Sequence, residues 1–430
     1  MTTVEDADVL TTAPTRASRW TTLRARWALV LMLVCAALTG LIGYAGQLGY
    51  AALIGVVGIA SLPMLGVKRP PILEVGIALL LVLWCAASEL WTIDKPPLHL
   101  YRYKDVESLT ALKLLLEVGV YSAFLFLMRE LPERWANRVI ATLVIGLTAC
   151  AVAMTIDAFT DCSLYRFFRL SAHAPDKPEI IRRNAARGAY TLALLFWPAV
   201  LWMRRSNWTA ALIVFVLAFF ASAIGFRVDA PIVAVVLGGA ALFAVRRFGR
   251  MTIWLLLAGT VIYLALEPTF FDVFGRYLPS LHDGDGVAKE SWGARIKLWR
   301  MLAQMIAERP FIGWGIDSSR VIEGVPLHPH SASIQLWLEL GAVGAALGVL
   351  FWAALWSRIG GLVEKASGQA EVAAAVAVAY LTIGALSFGI WQEWWIALGV
   401  LAAVVCMVFG QAFQNWSSPS DRLEELLPTG

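Results

Sequence analysis

The sequence has few charged residues, and this shortage excludes a water-soluble fold. Only 15% of its 430 residues are charged, whereas 59% are hydrophobic. A soluble domain has no core large enough to bury so much apolar surface, so the lipid bilayer must be the solvent. The formal net charge of +4 is also too small to indicate nucleic acid as a partner.

Cysteine is scarce as well, and several motifs are missing. Of the five cysteines, only Cys162 falls in a segment expected outside the membrane, so no exposed disulfide is predicted. There is no phosphate-binding glycine loop, no internal repeat and no carboxylate cluster with the spacing of a magnesium site. We therefore expect no metal, no cofactor and no ATP-driven step.

Long hydrophobic runs are abundant. About twelve windows are long enough to cross roughly 30 Å of hydrocarbon. They are 27–45, 49–66, 72–91, 109–128, 137–158, 186–203, 208–225, 229–245, 251–267, 333–356, 371–390 and 394–413. The sequence thus predicts an all-α integral membrane protein of about twelve transmembrane helices, with one large loop between helices 9 and 10.

Basic residues predict the orientation of these helices. Arginines and lysines concentrate in alternate short loops, and the positive-inside rule places those loops and the amino terminus in the cytoplasm. The predicted organisation is a cytoplasmic segment 1–26, helices 1 to 9 over 27–267, an external loop over 268–332, helices 10 to 12 over 333–413, and a cytoplasmic tail over 414–430.

The external loop contains a predicted amphipathic helix. Ser291 to Ala307 places Arg295 and Trp299 four residues apart on one face, beside an apolar stripe. Pro310 ends that helix, and glycines follow at turn positions.

A histidine pair, His328 and His330, directly precedes the next apolar helix. Ser331 or Ser333 can cap this helix, which would place His330 beside the positive end of the helix dipole. A cationic imidazole is disfavoured there, whereas a neutral imidazole can accept a proton, so the position suits a general base. Two alternatives are a loop histidine bonded to backbone and a metal-binding pair with His328, which lacks a clear third ligand.

This part of the chain resembles the motif of the O-antigen ligase and polymerase superfamily. The residues that carry the resemblance are Arg295, Trp299, Pro310, Gly313, Gly315, His330, Gln335, Glu339, Gly341 and Gly344. Upstream, Arg187 and Arg227 resemble the arginines that hold the lipid diphosphate in that family. The segment 387–395, which includes Gln392, is similar to the end of many members.

The resemblance implies a metal-independent glycosyltransferase of the bacterial inner membrane, with its active site facing the periplasm. Such an O-antigen ligase takes O-antigen from undecaprenyl diphosphate and attaches it to the lipid A-core oligosaccharide during lipopolysaccharide biosynthesis. His330 would be the base, Arg295 would be catalytic, and Arg187, Arg227 and Arg295 would bind the diphosphate, because guanidinium forks hold phosphate oxygens bidentately. Supporting residues would be His328, Trp299, Glu339 and Gln392.

Several alternatives remain open from the sequence. A polymerase of the same superfamily would share the motif, and a lipid-linked sugar flippase or other transporter would use the outer basic residues as part of a substrate path. The arginines could instead bind ordinary membrane lipid. Arg227 could pair with Asp229, and Arg182 or Arg183 could take the phosphate role of Arg187. Glu339 is expected to be structural or to pair with another helix. It comes nine residues after His330, which on a continuous helix is the opposite side, so it should not face the histidine.

Overall fold

The structure, a computed structural model, describes residues 16–65, 72–94, 109–168, 170, 177–275, 277, 287–326 and 328–414. The described residues form α-helices with short 3₁₀ turns and contain no β-strand. In chain order the helices are α1 (Arg16–Ala45), α2 (Gly49–Ser61), α3 (Ile72–Ser88), α4 (Thr110–Leu127), α5 (Glu133–Phe159), α6 (Ser163–Phe167), α7 (Pro178–Ala186), α8 (Gly188–Leu194), α9 (Phe196–Arg205), α10 (Thr209–Phe226), α11 (Asp229–Phe248), α12 (Arg250–Phe274), α13 (Val287–Glu308), α14 (Ala332–Leu362), α15 (Ser367–Leu386) and α16 (Glu393–Gln414).

Every predicted hydrophobic window is occupied by helix. Among the described residues, nine helices are long and apolar enough to cross a membrane, namely α1, α4, α5, α10, α11, α12, α14, α15 and α16. The windows 49–66 and 72–91 hold the shorter helices α2 and α3. The all-α class is therefore confirmed for the described residues, whereas the number of full-length spans is nine.

The window 186–203 is not one helix. It divides at Leu195 into α8 and α9. Pro198 follows three residues later and has no N–H to donate to the carbonyl of Leu194, so a continuous hydrogen-bond ladder is impossible there. Hydropathy alone does not reveal this break.

Large apolar side chains remain exposed on the outside of the helix bundle. Leu217, Phe243 and Leu255 are 65%, 67% and 64% exposed on α10, α11 and α12. Exposing such apolar faces to water is energetically unfavourable, whereas in a bilayer they are covered by lipid tails. This pattern agrees with a multi-pass membrane protein.

Four helices lie around the loop that the sequence singles out. α12 packs against α14, α13 lies against both of them, and α3 packs against α14. The helix α13 covers the segment in which an amphipathic helix is predicted, and its apolar side buries Trp299, Leu302 and Ile306 against Phe271 of α12. α12 continues through Pro268 to Phe274, whereas the predicted span ends at 267. Residues 1–15 and 415–430 of the predicted terminal segments lie outside the described residues.

Candidate functional site

A break inside α14 anchors the loop that follows α13. Gly341 has φ 64° and ψ −161°, a conformation that is essentially restricted to glycine. Because the helical ladder is interrupted here, the Leu338 carbonyl accepts the N–H of Trp314 at 2.8 Å, and the Ala342 N–H donates to the Pro310 carbonyl at 2.8 Å. The loop thus supplies hydrogen bonds that the broken helix lacks.

The glycines of the loop allow this close approach. Gly313 has φ +67°, and a Cβ there would lie 2.6 Å from the carbonyl carbon of Glu339. Gly315 has φ +92°, and a Cβ there would lie 2.3 Å from Cα of Thr92. Both positions therefore require glycine for steric as well as conformational reasons. These glycines hold the loop in place and carry no chemistry of their own.

Glu339 connects the loop to the segment before α16. Its fully buried carboxylate accepts hydrogen bonds from the Ser319 hydroxyl at 2.6 Å and the Trp391 indole N–H at 2.6 Å. It also accepts from the Gln335 amide at 3.0 Å and the backbone N–H of Asp317 at 3.2 Å. Four donors satisfy this carboxylate, so its role in the structure is to join three segments of chain.

The imidazole of His330 is oriented by a backbone carbonyl. His330 has φ +60°, an uncommon conformation outside glycine, and its Nδ1 lies 2.9 Å from the carbonyl oxygen of Ser387. Since a carbonyl oxygen only accepts hydrogen bonds, Nδ1 carries the proton and Nε2 keeps its lone pair. The side chain is thereby prepared to accept a proton at Nε2.

Burial keeps His330 neutral. Burial lowers the pKa of His330, and the positive charge of Arg295 lowers it further, while the hydrogen bond to the Ser387 carbonyl raises it in part. The pKa of His330 therefore lies below its ordinary value of 6.5, so the imidazole is uncharged at neutral pH.

Neighbouring helices fix the backbone around His330. Ser331 caps α14, and its hydroxyl donates to Oε2 of Glu267 on α12 at 2.8 Å. The indole N–H of Trp299 on α13 donates to the Pro329 carbonyl at 2.7 Å. The histidine is therefore held from both sides, and Ser331 is the capping residue of the two that the sequence proposes.

His328 lies against His330 and supports its backbone. The N–H of His330 donates to Nδ1 of His328 at 3.3 Å, and the ring centroids are 4.4 Å apart. Burial lowers the pKa of His328 to about 4, with a further contribution from the adjacent His330 when that ring is protonated. Within the described part of the chain, no group of three or more His, Cys, Asp and Glu side chains is arranged to hold a metal ion.

Two of the candidate arginines act electrostatically on groups near His330. The charge of Arg295 acts both on His330 and on the phenol of Tyr190. The charge of Arg187 acts on the same phenol, which also lies beside the Ser387 hydroxyl. Arg295 is thus linked electrostatically to both His330 and Tyr190, whereas Arg187 is linked to Tyr190 alone, and both arginines are partly buried.

The other candidate arginines are placed differently. Arg227 is exposed in a left-handed position at the end of α10, and it forms no ion pair with Asp229. Arg182 donates to the Gly225 carbonyl and lies 5.4 Å from the centroid of the Phe226 ring, so it stabilises the end of α10. Of the arginines around α7 and α8, Arg187 is the one whose charge reaches Tyr190 together with that of Arg295.

The segment 387–393 forms another wall of the site. A Cβ on Gly389 would lie 3.0 Å from Cβ of His328, and the Ile390 N–H donates to Oε1 of Gln335 at 2.9 Å. The amide oxygen of Gln392 is buried and makes no hydrogen bond with the described residues. This segment therefore runs from Ser387, whose carbonyl contacts His330, to the start of α16.

Sequence reasoning missed Tyr190, Ser387 and Glu267. Tyr190 stands one helical turn after Arg187, and its N–H donates to the Arg187 carbonyl at 3.1 Å. Ser387 opens the segment that the resemblance singles out. The sequence therefore held a signal for Tyr190 and for Ser387. It held no signal for the hydrogen bond between Glu267 and Ser331, because these residues are 64 positions apart.

Comparison with known proteins identifies similar chains. Residues 192–349 match the family model described as O-Antigen ligase. A Rickettsia conorii protein named "Putative polysaccharide ligase" is 24% identical over 361 residues, which are 78% of this chain and 79% of the relative. A protein of the same description from Rickettsia typhi is 24% identical over 353 residues, covering 76% and 78%. One from Rickettsia prowazekii is 32% identical over 126 residues, covering 26% and 31%.

Proposed function

We propose that this chain, whose residues 192–349 match the family model described as O-Antigen ligase, transfers a glycan from a prenyl diphosphate to an acceptor sugar. The observation that supports this most directly is a His330 imidazole whose Nδ1 is held by the Ser387 carbonyl at 2.9 Å, with the charge of Arg295 acting on the same ring. Two fixed cations suit the diphosphate of a lipid carrier, and an uncharged imidazole suits deprotonation of a sugar hydroxyl. The similarity to chains named as polysaccharide ligases supports a polysaccharide as the transferred group.

The proposed reaction is a single displacement. A hydroxyl of the acceptor sugar attacks the anomeric carbon of the donor while Nε2 of His330 takes the hydroxyl proton. The bond between the anomeric carbon and the diphosphate oxygen breaks, and Arg187 and Arg295 stabilise the charge on the departing diphosphate. Because the arginines offset this charge, the reaction does not require a metal. Direct displacement inverts the anomeric centre.

The donor in this proposal is undecaprenyl diphosphate carrying O-antigen, and the acceptor is the lipid A-core oligosaccharide. Both substrates are lipids of a bacterial inner membrane, so the site would face the periplasm and open sideways to the bilayer. The family match supports these identities. The diphosphate role of Arg227 rests on the resemblance alone.

Substitution of His330 tests the proposal. We expect His330→Gln and His330→Ala to lower glycan transfer by about 10²-fold to 10⁴-fold in purified protein supplied with lipid-linked donor. Glutamine can still donate to the Ser387 carbonyl but has no basic nitrogen, so it separates proton transfer from positioning. Near-normal turnover in a variant that melts like the native protein would contradict the assignment.

A deletion strain distinguishes the ligase from the polymerase of the same superfamily. Loss of all polysaccharide from the lipid A core indicates a ligase, whereas single repeats that remain on the core indicate a polymerase. For the transporter alternative, purified protein that joins donor to acceptor in detergent without any gradient excludes pure transport.

A further inference from the structure

The proposed reaction leaves unused a phenol that borders the candidate base, because the ring of Tyr190 packs against Phe388, next to the residue whose carbonyl holds His330. Tyr190 lies on α8 one turn after Arg187, and the charges of Arg187 and Arg295 both act on its hydroxyl. A phenol adds a hydrogen-bond donor without adding a third positive charge.

Aromatic contacts fix the ring of Tyr190. Its centroid lies 4.6 Å from that of Phe388, with the rings edge to face. Phe388 in turn packs against Trp394 at 4.6 Å and Trp395 at 5.4 Å, and Trp395 stacks on Tyr380 at 4.3 Å. The ring therefore has little freedom to move, and its hydroxyl is preorganised beside the arginines.

Ser387 links this phenol to the base. Its carbonyl accepts Nδ1–H of His330, and its hydroxyl lies beside that of Tyr190. Ser387 is only 6% exposed, and its hydroxyl oxygen has no partner at ordinary hydrogen-bond distance among the described residues. A buried hydroxyl without a partner is unfavourable unless a ligand satisfies it. One residue thus borders both the proton acceptor and the phenol.

We propose that the hydroxyl of Tyr190, aligned by Ser387, donates a hydrogen bond to a phosphate oxygen of the lipid diphosphate. This inference rests on the proposed function and adds a neutral donor to the two guanidinium groups. A hydroxyl that donates to a charged oxygen makes a short, strong bond, and such a bond strengthens as the diphosphate gains charge on leaving. No proton is transferred by Tyr190, which stays a phenol throughout.

Tyr190→Phe tests the proposal with the smallest possible change, because the ring keeps its contact with Phe388. We would measure binding of undecaprenyl diphosphate to the purified full chain in detergent, with undecaprenol as the uncharged comparison. We expect the dissociation constant to rise about tenfold, in line with loss of one hydrogen bond to a charged group. Tyr380→Phe is the matched control, because Tyr380 is in the same aromatic stack and its hydroxyl donates to the Trp395 carbonyl at 3.5 Å. It should bind like the native protein.

The outcomes separate this inference from the proposed function. If the native chain transfers glycan and Tyr190→Phe binds undecaprenyl diphosphate as tightly as Tyr380→Phe does, the role of Tyr190 is wrong and the function stands. If the native chain binds undecaprenyl diphosphate no better than undecaprenol, both fail.

Ser387→Ala examines the aligning role. It keeps the carbonyl that orients His330, so we expect weaker diphosphate binding with an unchanged pH dependence of transfer. A shifted pH dependence with unchanged binding would show that Ser387 acts through His330, and would overturn its assignment.

Discussion

At the scale of single residues, one hydrogen bond determines what His330 can do. The Ser387 carbonyl fixes the proton on Nδ1, and burial together with Arg295 keeps the ring neutral. Sequence reasoning identified His330 and the preference for a neutral imidazole from the position before a capped helix. It could not identify Ser387 as the partner, because that residue lies 57 positions away and contributes its backbone.

The charge state of His330 leads to a prediction about pH. Its pKa is lowered below 6.5, so the neutral base persists through neutral pH and is lost as the pH falls through the lowered value. Because the folded-state pKa lies below the unfolded one, protonation also favours unfolding, and stability decreases below about 6.5. Arg295→Met removes a cation that lowers this pKa, so we expect the titration to move to higher pH. The measurement is the rate of diethyl pyrocarbonate modification against pH, with His330→Gln as background.

The control for this experiment is Arg300→Gln. Arg300 is on the same helix as Arg295 but is exposed, and its charge is not among those that act on His330. The titration in this variant should match that of the native protein. Identical titrations in Arg295→Met and native protein would show that Arg295 does not influence His330.

At the scale of secondary-structure elements, the break in α14 is the feature that forms the site. The sequence pattern marked Gly313, Gly315 and Gly341, but periodicity predicted an uninterrupted apolar helix after residue 333. Periodicity missed the break because the helix propensity of the residues near Gly341 does not cause it. It is stabilised by hydrogen bonds from a loop about thirty residues earlier, between Trp314 and Leu338 and between Ala342 and Pro310.

Gly341→Ala should destabilise the protein strongly. A methyl group there would lie 2.4 Å from the carbonyl of Phe311, at φ +64°, where residues with side chains are strained. We expect a loss on the order of 3 kcal/mol, which combines backbone strain with the clash. Thermal unfolding in detergent and glycan transfer would both report it. The matched control is Gly119→Ala in α4, where nothing lies within 4 Å of the new methyl group and the change should be neutral or slightly stabilising. Equal melting temperatures for the two variants would refute this account.

Element positions were largely predictable, and their interruptions were not. Apolar windows of suitable length located the nine long apolar helices of the described residues, because burial in lipid requires such runs. The division of the window 186–203 at Leu195 was missed even though Pro198 is visible in the sequence, since hydropathy does not register a missing N–H. That miss also concealed that Arg187 caps the amino end of the short helix α8, one turn before Tyr190.

At the scale of the whole molecule, the membrane assignment follows from the large amount of apolar surface. Exposed leucines and phenylalanines cover the outside of the bundle, while charged groups of the candidate site gather near the amino end of α14 and around α8. Composition alone predicted the first of these features. The second depends on how α8, α13 and α14 come together, which a single sequence does not encode in any local pattern.

Orientation across the membrane can be tested with introduced cysteines. All five native cysteines are buried, so the background from a membrane-impermeant maleimide should be low. Glu323 is exposed in the loop between α13 and α14, and Arg204 is exposed at the end of α9. We expect Glu323→Cys to react in intact spheroplasts and Arg204→Cys to react only after the membrane is permeabilised, because the basic loops should lie in the cytoplasm. The reverse pattern would place His330 on the cytoplasmic side, where a lipid-linked polysaccharide exposed at the periplasmic surface could not reach it, and the transferase proposal would have to be abandoned.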